Sequence, residues 1–216
     1  MSQTKRRLWT GLACAVTLGA AAPQTPTNSF TIIAGQQFGP IRETTTRSRM
    51  QTLFGPALKD ADVYLGEGFC ANGTVAFPGT ADEIEVAWQD AARSRVAFVR
   101  TTKAGGRWRT ARGVRIGTPL PELVRIAGKV LTFSGFGWDY GGRFEWSEPS
   151  GSMMLRLALA WDDALARSPR ANEMKGDREV RSDHPIVTRA RITVDEMWVR
   201  WGNGLDVHDC VDVPRP

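Results

Sequence analysis

Runs in which apolar side chains alternate with polar ones restrict this chain to a fold built around an antiparallel sheet. Ile84, Val86 and Trp88 alternate with Glu83, Glu85 and Ala87, and Gln89 to Arg93 separates this run from Val96 to Thr101, as in a hairpin. Phe144 to Trp146, Met153 to Trp161 and Ile192 to Trp201 repeat the pattern further on. A period of two puts one set of side chains on each sheet face, so these runs read as strands with one buried face.

Helical spacing occurs in two short places. In Thr118 to Ala127, Leu120, Leu123, Val124 and Ala127 form one apolar stripe, with Thr118 expected as N-cap, Pro119 in the first turn, Glu122 near the positive helix end and Gly128 as terminator. Thr44 to Phe54 is more polar; Met50, Leu53 and Phe54 are its packing residues and Pro56 prevents continuation. The two segments share punctuation: Ile41 matches Val114, Arg42 matches Arg115, Met50 matches Leu123, Leu53 matches Ile126 and Gly55 matches Gly128. The expected architecture is α+β, a predominantly antiparallel sheet with two helix-plus-strands repeats, 23–106 and 107–216, in one compact unit. Residues 162–191, Arg-rich and holding Pro169, Gly176 and Pro185, read as a long solvated polar loop, followed by a C-terminal tail.

Met1 to Ala22 reads as an export signal: Lys5, Arg6 and Arg7, then an uncharged apolar run ending in Ala20, Ala21 and Ala22. The run is too short and too rich in Ala and Gly for a transmembrane span, so a mature chain starting near Pro23 and working in the periplasm or outside the cell is expected. Arg6-Arg7 faintly resembles a twin-arginine signal, and lipidation at Cys14 is a minor alternative, since Gly11 stands where a lipobox has a branched aliphatic. The formal net charge of +5 loses three positive charges with Lys5, Arg6 and Arg7, leaving +2. With Arg scattered among acids and no basic stripe, a nucleic-acid partner is not expected.

Cys70 and Cys210 are then the remaining thiols, and in an oxidising compartment a lone pair reads as a disulfide. The alternatives are a catalytic thiol or a metal site built on Cys210, Asp206, His208 and Asp209. One His in the cluster, with His184 far along the chain, favours the structural reading, and no metal or other cofactor is expected.

The densest local motif is Gly135-Phe136-Gly137-Trp138-Asp139-Tyr140-Gly141-Gly142. Asp139 as an acid with Trp138 and Tyr140 as a stacking platform is the functional reading. The favoured structural one is a tight turn with two aromatic core anchors. Val75 to Thr80, the strand ending in Trp88, Trp108 to Gly117 and the Trp138-Asp139-Tyr140 turn resemble a group of exported bacterial proteins in which a Gly-Thr-x-Leu-x-Glu-Leu helix leads into Gly-Phe-Gly-Trp-Asp-Tyr-Gly-Gly. This chain departs from that pattern at Pro121 and Ala127. The resemblance implies an exported α+β domain and no activity. A looser likeness to the helix-plus-hairpin repeats of envelope-assembly lipoproteins and secreted β-lactamase inhibitors implies protein binding through an open sheet face.

Three functions follow as expectations. The first is a non-catalytic protein-binding module of the cell envelope, with Trp138, Asp139 and Tyr140 as candidate binding residues. The second is a glycan or peptidoglycan binder using some of the tryptophans Trp88, Trp108, Trp138, Trp146, Trp161, Trp198 and Trp201, at least half of which belong in the core. The third is a carboxylate-dependent hydrolase, for which Asp139 and Glu145 are the suspects. No catalytic residue is assigned: Gly-x-Ser-x-Gly, His-Glu-x-x-His and phosphate-loop motifs are all missing.

Overall fold

The structure, a computed structural model, describes residues 29–162, 165, 167–202 and 204–210. The expected signal peptide, with Cys14, Arg6 and Arg7, lies outside the described residues. In chain order the elements are β1 (Thr31–Ile33), β2 (Gln37–Phe38), α1 (Arg47–Phe54), β3 (Leu58–Asp60), β4 (Val63–Gly66), β5 (Phe69–Ala71), β6 (Gly73–Ala76), β7 (Ile84–Trp88), β8 (Val96–Thr101) and β9 (Arg109–Thr110). They continue with α2 (Leu120–Ala127), β10 (Thr132–Ser134), β11 (Arg143–Glu148), β12 (Gly151–Ala160), β13 (Glu179–Arg181), β14 (Arg191–Arg200) and β15 (Val207–Asp209).

The main sheet has seven strands in the order β11-β12-β14-β8-β7-β6-β3, all pairs antiparallel. Its alternation sorts the strands' side chains onto two faces. On the back face Val86, Val99 and Val199 align across β7, β8 and β14, and Phe144, Leu155 and Met197 across β11, β12 and β14. The three valines, Leu155 and Met197 are fully buried. The helices close this face: Met50 of α1 and Leu123 of α2 are fully buried in the same cluster. Trp88, Trp108, Trp146 and Trp201 also lie in it, four of the seven tryptophans considered above.

The helices begin later than expected. Thr46 caps α1, its hydroxyl accepting from the Arg49 N–H at 3.1 Å. At α2 the N-cap is Pro119, not Thr118. The Thr118 hydroxyl is engaged one turn earlier, accepting from the Arg115 N–H at 2.9 Å. Gly128 ends α2 in the left-handed region, φ 68° and ψ 17°, as its position predicts.

The 162–191 segment is not merely a solvated loop. β13 pairs with β10, Phe133 opposite Val180, and two short 3₁₀ turns place Met174 and Val187 in the core. The apolar residues here are isolated among charges, so neither periodicity marks them, and long-range pairing with β10 orders the segment instead.

A second small sheet, β15-β5-β4, sits against part of the front face, where Val63 and Ala71 pack with Ala87 and Phe98. The expected Cys70–Cys210 disulfide is present, spanning 140 residues and tying β5 to the residue after β15. It is compatible with an oxidising compartment. Among the described residues no helix is long and apolar enough to cross a membrane.

Candidate functional site

The small sheet covers only part of the front face. The remainder is a groove of about 900 Å³, walled by the tip of the β4–β5 hairpin (Leu65 to Gly68) on one side and by Trp138 and Asp139 on the other. Its floor is two rows of the main sheet. In one, Arg143, Arg156 and Glu196 face each other across β11, β12 and β14. In the next, Met154, Trp198, Arg100 and Glu85 align across β12, β14, β8 and β7, with Arg100 and Glu85 lining the groove.

Burial of charge on this floor is met by pairing in two of the three arginines. Arg100 donates to the Glu85 carboxylate at 2.6 Å and to the Tyr64 carbonyl at 2.9 Å. Arg156 donates to Asp195 at 2.7 Å through Nη2 and at 3.1–3.2 Å through Nε. A β-bulge between Arg156 and Leu157 makes this possible: one strand slips, and Asp195 and Glu196 both come within reach of Arg156. Burial works against protonation of Arg156, but the Asp195 hydrogen bond and the charges of Glu196 and Asp195 hold its pKa above the ordinary value. Glu196, whose side chain is 4% exposed, lies 3.6 Å from Arg100 and 3.7 Å from Arg156.

Arg143 differs. Its guanidinium lies 4.8 Å from the Tyr140 ring centroid and 5.0 Å from that of Trp198, and among the described residues it has no carboxylate partner. Burial lowers its pKa from the ordinary value, the Glu196 charge acting in the opposite direction and Arg156 and Arg100 adding to the fall. Three buried polar atoms of this face make no hydrogen bond: Arg143 Nε, Glu196 Oε2 and Trp198 Nε1. Trp198 stacks on Phe98 at 5.1 Å with Arg100 over its ring, which fixes the floor's aromatic patch.

The motif singled out from the sequence forms the groove's rim, and its aromatic pair is not a core anchor. Trp138 is 37% and Tyr140 38% exposed, their rings meeting edge to face at 5.3 Å. Phe136, at 5% exposure, is the motif's buried ring. The turn is held by backbone geometry. Gly137 and Gly142 have φ of 87° and 75°, and a Cβ on Gly142 would collide with the Leu157 carbonyl. The Trp138 indole donates to the Gly135 carbonyl at 2.9 Å, and the Ser134 hydroxyl to that of Tyr140 at 2.7 Å. Asp139 makes no hydrogen bond or ion pair among the described residues. Glu145, the other carboxylate suspect, is exposed on β11 and does not line the groove.

The alternative cluster at the C-terminal end is occupied structurally. Cys210 is in the disulfide, His208 Nε2 lies 3.2 Å from Asp62, and Asp206 accepts from the Asn72 amide at 2.6 Å. No group of three metal-ligating side chains occurs among the described residues. A depression of about 800 Å³ beside the start of α1 includes Arg47 and Arg93, but both arginines already pair with Asp60.

Sequence reasoning did not single out Arg100, Arg143, Arg156 or Glu196. Their signal was present: charged residues at the polar positions of otherwise apolar strands, recurring with period two on one face. Comparison with protein-family models, with curated proteins and with solved structures returns no match.

Proposed function

We propose that this chain is an exported, non-catalytic protein-binding module of the cell envelope, whose binding surface is the uncovered half of the sheet's front face. The observation that carries the reading is the groove itself. Basic and acidic side chains alternate on its floor beside the half-exposed ring of Trp138 at its rim, against which the equally exposed Tyr140 ring packs edge to face. Mixed charge with aromatic anchors suits a polypeptide partner, whose side chains carry both signs. In this reading Trp138, Asp139 and Tyr140 are rim contacts.

A glycan or peptidoglycan ligand is the second reading, favoured by the exposure of Trp138 and Tyr140. Their planes meet at 70°, which gives an edge and a face but no flat platform for a sugar. A hydrolase draws little support, since Asp139 lines the groove and Glu145 does not.

We also read the chain as two copies of one helix-plus-strands unit. In support, α1 and α2 are each eight residues long and seventy-three positions apart, and each follows the same turn. The Arg42 N–H donates to the Thr45 hydroxyl at 2.9 Å as that of Arg115 does to Thr118. Strands β6-β7-β8 and β11-β12-β14 then form one meander each, joined along β8 and β14. The export signal at 1–22 and the likeness to exported bacterial proteins with the glycine-flanked Trp-Asp-Tyr run belong to the same proposal.

A photo-crosslinking residue at position 140, expressed in the native host, tests the binding surface, with the same residue at position 125 on α2, behind the sheet, as control. A discrete adduct at position 140 alone, removed by protease, is the expected result. An adduct released by muramidase, or equal adducts at both positions, would overturn the reading.

A further inference from the structure

We propose that Arg143 receives a chain-terminal carboxylate of the bound polypeptide while Glu196 accepts the backbone N–H beside it. The inference rests on the reading of the front face as a protein-binding surface and names the group that face recognises.

The four cations lining the groove are not equivalent. Arg100 is held by Glu85, Arg156 by Asp195 and Lys103 by Glu83 at 3.2 Å, whereas Arg143 has no carboxylate partner among the described residues. Leaving a half-buried guanidinium unpaired is costly, and a ligand carboxylate that fills its fork recovers that cost. The fork is already oriented: Tyr140 and Trp198 flank it at 4.8 and 5.0 Å, so little side-chain freedom remains to be lost on binding. Its Nε–H is buried and has no acceptor.

The second half of the site is Glu196. Its carboxylate is 4% exposed and compensated by Arg100 and Arg156 through charge, yet Oε2 accepts no hydrogen bond. Arg156 is the cross-strand partner of both Arg143 and Glu196, so an unfilled donor and an unfilled acceptor flank one residue on one face. A peptide C-terminus carries the complement, a carboxylate and an N–H a few atoms apart. Charge count selects it over phosphate. One unpaired guanidinium balances one negative charge, while a dianion would bring a second charge against the carboxylates of Asp62, Glu67, Glu83, Glu85, Asp139 and Glu196 that line the same groove.

The test is a titration of the nitrogen-15-labelled mature chain, reading the Arg143 Nε–H and Trp198 Nε1–H signals. The probes are N-acetyl-L-alanyl-L-alanine, its C-terminal amide, and the D,D form of the acid. The L,L acid is expected to move the Arg143 signal, with the amide at least about tenfold weaker, as loss of a charge-assisted hydrogen bond implies. Arg143→Lys, which keeps the charge and loses the fork, should weaken the acid by about tenfold. Equal responses to acid and amide, or an unmoved Arg143 signal in the wild type, would overturn the proposal. A clear preference for the D,D acid would keep the carboxylate site but move the ligand to the cell wall, overturning the protein-binding reading alone. A position-140 protein adduct with no acid response would do the reverse.

Discussion

Arg143 and Arg156 face each other across β11 and β12, and only Arg156 is neutralised, by Asp195 at 2.7 Å. The difference between these two neighbours divides the front face into a part that is structurally satisfied and a part that is not. The satisfied part can be tested through stability. Arg100→Met should cost about 3–5 kcal/mol, because it strips Glu196 of a counter-charge in a nearly fully buried position. Arg100→Met combined with Glu196→Met should cost less than the sum of the two single changes, as read in a denaturant double-mutant cycle.

The rim should tolerate change. Asp139→Ala is expected to leave unfolding free energy within about 0.5 kcal/mol, since the carboxylate has no partner among the described residues. Trp138→Ala should cost about 1 kcal/mol, for one hydrogen bond to Gly135 and an edge contact with Tyr140, and not the roughly 3–5 kcal/mol of a core ring. Thermal denaturation of both variants checks this, and a core-sized loss at Trp138 would mean the ring is buried after all.

Leu123→Ala and Met50→Ala should each cost about 2–5 kcal/mol, as both side chains are fully buried between a helix and the sheet. Urea unfolding of each variant gives the number.

The disulfide holds the small sheet that forms one groove wall. Cys70→Ser should lower stability by roughly 2–5 kcal/mol, and a chain starting at Pro23, which lacks Cys14, should show no free thiol when denatured without reductant.

His208 supplies a pH dependence. Its hydrogen bond to Asp62 holds its pKa above the ordinary 6.5, with burial opposing. The folded state therefore favours the imidazolium, so the stabilisation is complete below about pH 6.5 and is lost as pH rises through the higher folded-state value. Melting temperatures of the wild type and His208→Gln, followed from pH 5.5 to 8.5, should converge towards the alkaline end. Parallel curves would remove this pair from the account.

Much of the main sheet was legible: β7, β11, β12 and β14 fall on alternating runs, and β8, continuously apolar from Val96 to Val99, follows β7 across a hairpin-length gap. The small sheet was not. β4, β5 and β15 are three or four residues long; β4 and β5 pair as a short hairpin with a register shift, and β5 pairs with β15 far along the chain, Cys70 lying opposite His208. β13 was hidden for the same reason. At the site, the glycine-flanked turn was visible as a motif, but its rings were assigned to the core because aromatic residues between glycines carry no sign of exposure. Arg143, Arg156 and Glu196 come from three strands and meet only through register, and Asp195 reaches Arg156 through a bulge that the sequence pattern does not mark.

The central claim, that the open front face is occupied in the cell envelope, is tested most directly by hydroxyl-radical footprinting of the unmodified protein, purified and in intact cells. Trp161, 40% exposed and not part of the groove lining, serves as the internal standard. Oxidation of Trp138 and Tyr140 should fall relative to Trp161 when the protein is in its native envelope. An unchanged ratio between purified protein and intact cells would contradict the account.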